Sequence, residues 1–233
     1  ETGTMFSGSA IEDVENRTGL ARGGHNPLIL YYTAAGEPFE QRMAVSVDGG
    51  KTFDKRPGPA VIPHIARGNR DPKIVWDDEM GIFRLALYLD GDEYALFESE
   101  DLIHFELRQG LSLPGDNECP DLYPITADDG ARLWVLCGAH DCYFVGRFGS
   151  DGLFVPVQSV GRLHYGACSY AAQSFSGIPG GRILRMCWNQ APLNSPLVQG
   201  SMCTPADMSL ICRDGRYLLC TRPAKEFESL RAP

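Results

Sequence analysis

Short apolar runs rich in Val, Ile, Leu, Tyr and Phe fill this chain, cut at close intervals by 26 glycines and 16 prolines. The pattern reads as strands and turns throughout, and no amphipathic helix is predicted. The pattern predicts an all-β chain. Its strands fall into four groups: Phe6–Ala10, Leu28–Thr33, Met43–Val47 and a short run after Phe53; Lys73–Trp76, Ile82–Leu89, Tyr94–Glu98 and His104–Leu107; Asp121–Ile125, Arg132–Cys137, Tyr143–Phe148 and Phe154–Gln158; Tyr170–Phe175, Arg182–Trp188, Met208–Cys212 and Tyr217–Arg222.

The first strands of the last three groups begin near residues 73, 121 and 170, spacings of 48 and 49. A four-stranded unit recurring at roughly fifty residues is the pattern of a β-propeller blade. The expected blades span residues 1–60, 61–115, 116–160 and 161–225. A lesser repeat supports them: Ser46-Val47-Asp48-Gly49-Gly50-Lys51-Thr52-Phe53 returns as Ser99-Glu100-Asp101-Leu102-Ile103-His104-Phe105, and in reduced form as Ser150-Asp151-Gly152-Leu153-Phe154. Asp and Gly close such turns, and we assign these segments a structural part only. Innermost blade strands line a central channel. The starts at Phe6–Ser9, Arg70–Pro72, Glu118–Pro120 and Tyr165–Tyr170 are therefore expected to meet at one end.

Charge narrows the partners. Thirty acidic against 21 basic residues give a net charge of −9, without any basic cluster, which disfavours nucleic acid and anionic membranes. No apolar run reaches the roughly 18 residues of a membrane span, and no signal peptide is present. The chain opens on Glu1-Thr2-Gly3-Thr4-Met5 and passes directly into a patterned strand, as a start in mid-domain does. Eight cysteines include no Cys-x-x-Cys pair, so neither a metal site nor a cofactor is expected. Most cysteines sit in apolar runs, where they read as buried, reduced thiols and lean towards a reducing compartment; a start in mid-domain leaves secretion open.

The candidate chemistry lies at strand starts. In Asn117-Glu118-Cys119-Pro120-Asp121-Leu122-Tyr123-Pro124 an acid stands two residues before a proline, and Pro120 is expected to hold Cys119 extended, with Glu118 at the mouth of a strand. Arg70-Asp71-Pro72-Lys73 repeats the arrangement 47 residues earlier. Two carboxylates on equivalent strand starts can work as a pair, the arrangement used in glycoside hydrolysis.

Taken together, Phe-Ser-Gly-Ser-Ala (6–10), Arg-Asp-Pro-Lys (70–73), Glu-Cys-Pro-Asp-Leu-Tyr-Pro (118–124) and Tyr-Ala-Ala-Gln-Ser-Phe (170–175) resemble glycoside hydrolase family 32, the invertases, levanases, inulinases and sucrose-6-phosphate hydrolases. The resemblance covers essentially the whole chain. It implies a five-bladed propeller followed by a β-sandwich, and hydrolysis of β-fructofuranosyl linkages in sucrose, fructans or sucrose phosphate with retention of configuration. It also implies that Glu118 is the acid/base and Asp71 the transition-state stabiliser. The family's nucleophile, in a Trp-Met-Asn-Asp-Pro-Asn-Gly segment of the first blade, has no counterpart in this sequence. The chain thus reads as blades two to five of a larger hydrolase, without the sandwich and inactive alone. A second departure is at Leu163–Ala171, where His164 and Cys168 replace two aspartates of the family pattern.

Each assignment has a plainer counterpart. Asp71 can be an Asp-Pro turn former paired with Arg70, and Glu118 a solvated loop acid. In the chemical reading Glu118 holds its proton near working pH, whereas Asp71 stays charged. Arg70 then favours that charge or binds a sugar hydroxyl itself. Phe6 and Ser7 read either as sugar contacts or as an ordinary strand start. Asp121 either supports nearby backbone or makes a turn, and Trp188 ends an apolar strand as a core position that can also serve as a platform. A non-catalytic fructan-binding propeller is the alternative function, motivated by the missing nucleophile and by His164 and Cys168. A scaffold for protein contacts has no use for the two acids.

Overall fold

The structure is a computed structural model that describes residues 3–192, 197, 198 and 200–231. Its strands form four antiparallel sheets, and within each the chain order is largely the spatial order. The first holds β1 (Thr4–Glu12), β2 (Leu28–Ala35), β3 (Phe39–Ser46) and β4 (Asp54–Lys55). The second holds β5 (Arg70–Asp77), β6 (Ile82–Asp90), β7 (Glu93–Ser99) and β8 (Glu106–Ser112). The third runs from β9 (Asp121–Thr126) through β10 (Arg132–Cys137) and β11 (Cys142–Phe148) to β12 (Phe154–Pro156), with β13 (Gly161–Arg162) added to β11. The fourth holds β14 (Ser169–Phe175), β15 (Leu184–Asn189), β17 (Ala206–Arg213) and β18 (Arg216–Pro223), with β16 (Ser201–Met202) on β15. Among the described residues, helix is confined to two 3-10 turns, Pro179–Gly181 and Lys225–Leu230.

The chain divides into two compact units, Glu1–Ser112 with Asn117–Leu122, and Leu113–Asp116 with Tyr123–Pro233. In the first, alternate residues of β2, β5, β6 and β7 turn inward. Ile29, Tyr31, Ile74, Leu85, Leu87, Ala95 and Phe97 form one core. Buried charge is also present in this unit: Arg84 on β6 is almost wholly buried and bridges Asp77 at the end of β5 and Glu98 on β7. In the second unit the core joins Tyr123, Ile125, Leu133, Val135, Tyr143 and Val145 to Leu210 and Leu219.

The innermost strands carry irregularities that alternation does not reveal. β1 slips register between Met5 and Gly8, β5 between Arg70 and Lys73, and β14 between Tyr170 and Gln173. Asp71 and Ala171, inside two of these bulges, have positive φ of 62° and 52°. A bulge re-aims the side chains around it, and bulges are frequent beside functional sites. Gly8 is required where it stands, because a Cβ there would lie 1.8 Å from the Tyr31 carbonyl oxygen.

The repeated Asp turns are closed as their composition implies. Asp48 accepts from the Ser46 and Thr52 hydroxyls and from the Lys51 and Thr52 amides. Asp101 accepts from the Ile103 and His104 amides and meets the His104 ring at 2.6 Å. The cysteines correct the sequence reading. All eight are free thiols, but only Cys137, Cys142 and Cys187 are buried, and the other five are half-buried.

Candidate active site

The site is built within the first unit, where the bulge of β5 faces the segment leading to β9. Arg70 is its hub. Its Nη2 donates to Glu118 Oε1, its Nη1 donates to the Gly68 carbonyl at 2.7 Å, and its Nε lies 3.8 Å from Asp71 Oδ2. The guanidinium carbon stands 4.5 Å from the centre of the Tyr88 ring. One cation therefore touches both candidate carboxylates and is held by a carbonyl and an aromatic face.

Asp71 is buried, at 8% exposure, and its Oδ2 accepts the Cys119 amide at 3.1 Å and the Cys119 thiol at 3.5 Å. Behind it, the Asp71 amide donates to the Thr33 hydroxyl, which donates to Gln41 Oε1, whose amide nitrogen donates to the Asn69 carbonyl. These relays fix a backbone conformation that an aspartate seldom adopts. Burial pushes the Asp71 carboxyl above its ordinary value, and the Cys119 amide and thiol and the Arg70 charge only partly offset it. Arg70 thus acts in the expected direction, but desolvation outweighs it.

Glu118 differs from expectation in its backbone. Glu118 and Cys119 have φ of 49° and 40°, left-handed rather than extended, and the strand begins only at Asp121. The preference that Pro120 imposes on Cys119 yields to the tertiary contacts: the Cys119 amide goes to Asp71, and Tyr94 Oη donates to the Glu118 carbonyl at 3.1 Å. The Glu118 side chain stays partly open, at 29% exposure.

Asp121 is neither a turn former nor a solvated acid. It is nearly fully buried and pairs with Lys73 at 2.9 Å, tying the start of β9 to β5. Ser9 makes a second tie, donating to the Pro72 carbonyl at 2.7 Å and accepting the Ile74 amide at 2.9 Å. Sequence reasoning missed Lys73, Ser9, Cys119, Thr33 and Tyr94; the only signal for the first three was membership of the same short motifs. Phe6 and Ser7 are exposed in the β1 bulge, Phe6 edge-on to Phe39 at 5.7 Å. Trp188 belongs to the second unit and is not a core residue. It is 43% exposed on β15 and lies edge-on to Tyr170 at 6.3 Å. His164 and Cys168 line a cavity of about 410 Å³ in that same unit.

The chain matches the Glycosyl hydrolases family 32 N-terminal domain over residues 1–218 and belongs to that family. It is 32% identical to the levanase of Bacillus subtilis over 264 aligned residues, covering 99% of this chain and 38% of the levanase. To the levanbiose-producing levanase of the same organism it is 26% identical, over 98% of this chain and 49% of that one. Among solved structures, the exo-inulinase of Aspergillus awamori superposes with a TM-score of 0.84 at 22% identity, covering 97% of this chain and 54% of the inulinase. The β-fructofuranosidase of Schwanniomyces occidentalis complexed with fructosyl-erythritol gives 0.82 at 24% identity, over 94% and 48%. The fold is thus all-β with four propeller blades, and the chain spans half or less of the length of these two levanases.

Proposed function

We propose that this chain is the part of a β-fructofuranosidase that supplies two of its three working carboxylates. Glu118 protonates the leaving alcohol and then activates water; Asp71 holds fructosyl hydroxyls and faces the developing oxocarbenium charge. The observation that carries this reading is the single Arg70 guanidinium in contact with both acids, which come from motifs 47 residues apart. The nucleophile comes from residues outside these 233. A fructosyl hydroxyl that takes an Arg70 N–H frees Glu118 to carry a proton to the glycosidic oxygen. Fructosides are the substrate class, and the likeness to levanases, an exo-inulinase and a β-fructofuranosidase supports it.

The test uses the full-length protein with Glu118→Gln. Fructose release from sucrose or levan is expected to fall about 10²–10⁴-fold, the usual contribution of general acid–base catalysis. Cleavage of a fructoside with a good phenolate leaving group is expected to fall much less in its first step, because that group needs no proton. Equal losses on both substrates, or none, would remove Glu118 from this role.

The second reading, a fructan-binding propeller, rests on the absent Asn-Asp-Pro-Asn segment and on His164 and Cys168. Calorimetric binding of fructose oligomers by the full-length protein, without sugar release, would favour it.

A further inference from the structure

We propose that Cys187 and Cys203 form a reversible dithiol–disulfide site that reacts with small disulfides such as glutathione disulfide. The register of β15 on β16 pairs Trp188 with Met202 and Asn189 with Ser201, so the next step sets Cys187 opposite Cys203. The Cys203 amide donates to the Cys187 carbonyl at 2.9 Å, one of the bonds of a hydrogen-bonded antiparallel pair. Such pairs have Cα atoms about 5.5 Å apart, inside the range that a disulfide spans. After burial, the neighbouring Cys187 thiol is the chief influence that raises the Cys203 thiol, as expected of side chains set opposite each other. Ser169 donates to Cys187 Sγ at 3.4 Å and fixes that sulfur.

Access comes from the cavity of about 410 Å³, which both sulfur-bearing residues line together with Cys168 and His164. Cys187 is buried, and Cys203 is the more open of the two. The chemistry balances. The Cys203 thiolate attacks one sulfur of glutathione disulfide, breaks its S–S bond and releases one glutathione thiolate. Cys187, losing its proton to solvent, then displaces the second glutathione. Two protein thiols become one disulfide, and one glutathione disulfide becomes two thiols. Burial and the neighbouring Cys187 thiol push the Cys203 thiol up to about 11, so the reaction is slow near neutrality and accelerates as pH rises.

The experiment incubates the reduced 233-residue chain with glutathione disulfide at mildly alkaline pH, alkylates the remaining thiols and maps cross-linked peptides. The expected result is loss of two of the eight thiols, one bridge joining 187 to 203, and full reversal by dithiothreitol. Cys168→Ser is expected to leave the bridge intact, and Cys203→Ser to abolish it. Mapping the unmutated chain decides the matter whether or not the variants fold. A bridge to Cys168, glutathione adducts without a bridge, eight surviving thiols, or the same bridge at equal yield in urea would overturn the proposal.

Discussion

Asp71 combines features that normally oppose one another: a guanidinium within 4 Å, two donors from Cys119, and a carboxyl nevertheless pushed above its ordinary value by burial. The consequence for stability has a definite sign. A carboxyl whose folded pKa exceeds its unfolded value of 3.8 holds its proton better when folded, so stability falls as pH rises from 3.8 through the folded value. Asp71→Asn keeps an oxygen for the Cys119 amide and removes the buried charge. Urea unfolding at neutral pH is expected to show the variant at least as stable as the parent, with that stretch of pH dependence gone. In the full-length protein the same change is expected to lower kcat/KM for sucrose about 10²–10³-fold, as loss of one transition-state contact does. Lys73 and Asp121 act oppositely. Their pair is buried, so Lys73→Met leaves a buried carboxylate without its countercharge from Lys73 and is expected to cost about 3–5 kcal/mol. Adding Asp121→Leu should recover most of it, which chemical denaturation of the single and double variants can measure. The two acids were legible because they occupy matching places in repeated motifs. Lys73, Ser9 and Tyr94 were not, because what they do depends on partners 24 to 65 residues away that no local pattern names.

The strands were legible for a different reason. Long runs such as Ile82–Asp90 and Arg132–Cys137 alternate or stay apolar over enough residues to declare themselves. Gly161–Arg162 and Ser201–Met202, two residues each, have no period to detect. Bulges escape for a related reason: the slip at Arg70/Lys73 is a relation between β5 and β6, not a property of β5 alone. The Asp turns could be read because their chemistry is local. Against the pull of burial, the His104 ring and amide and the Ile103 amide hold Asp101 down to about 2. A depressed carboxylate stabilises the fold above its unfolded value of 3.8, and that contribution is lost as pH falls through about 2. Asp101→Asn is therefore expected to lower the urea midpoint at neutral pH. The gap from the parent should narrow as pH drops from 3.8 towards 2, where both unfold more easily. A gap constant across that range would show that the turn owes nothing to the charge.

For the chain as a whole, the limits of chemistry and of surface point the same way. A retaining displacement needs a carboxylate to attack the anomeric carbon as well as an acid to release the alcohol. Asp71 is committed to the Cys119 donors and lies beside Arg70, and Glu118 is paired with Arg70; neither is free to be that nucleophile while filling its proposed role. The 233 residues alone are therefore expected to release no fructose from sucrose or levan above the uncatalysed rate. Their surface adds a second expectation. The fourth sheet exposes Phe175, Trp188, Met202 and Leu218, and the first exposes Met5 and Phe6, each by 40% or more. Large apolar side chains left exposed on sheets favour association once enough copies are present. Sedimentation velocity is expected to show the coefficient rising with protein concentration, and Phe175→Ser with Met202→Ser should weaken that rise without changing the far-UV spectrum. A monodisperse monomer that releases fructose would contradict both parts, because it would need a nucleophile among these residues and a surface that water tolerates.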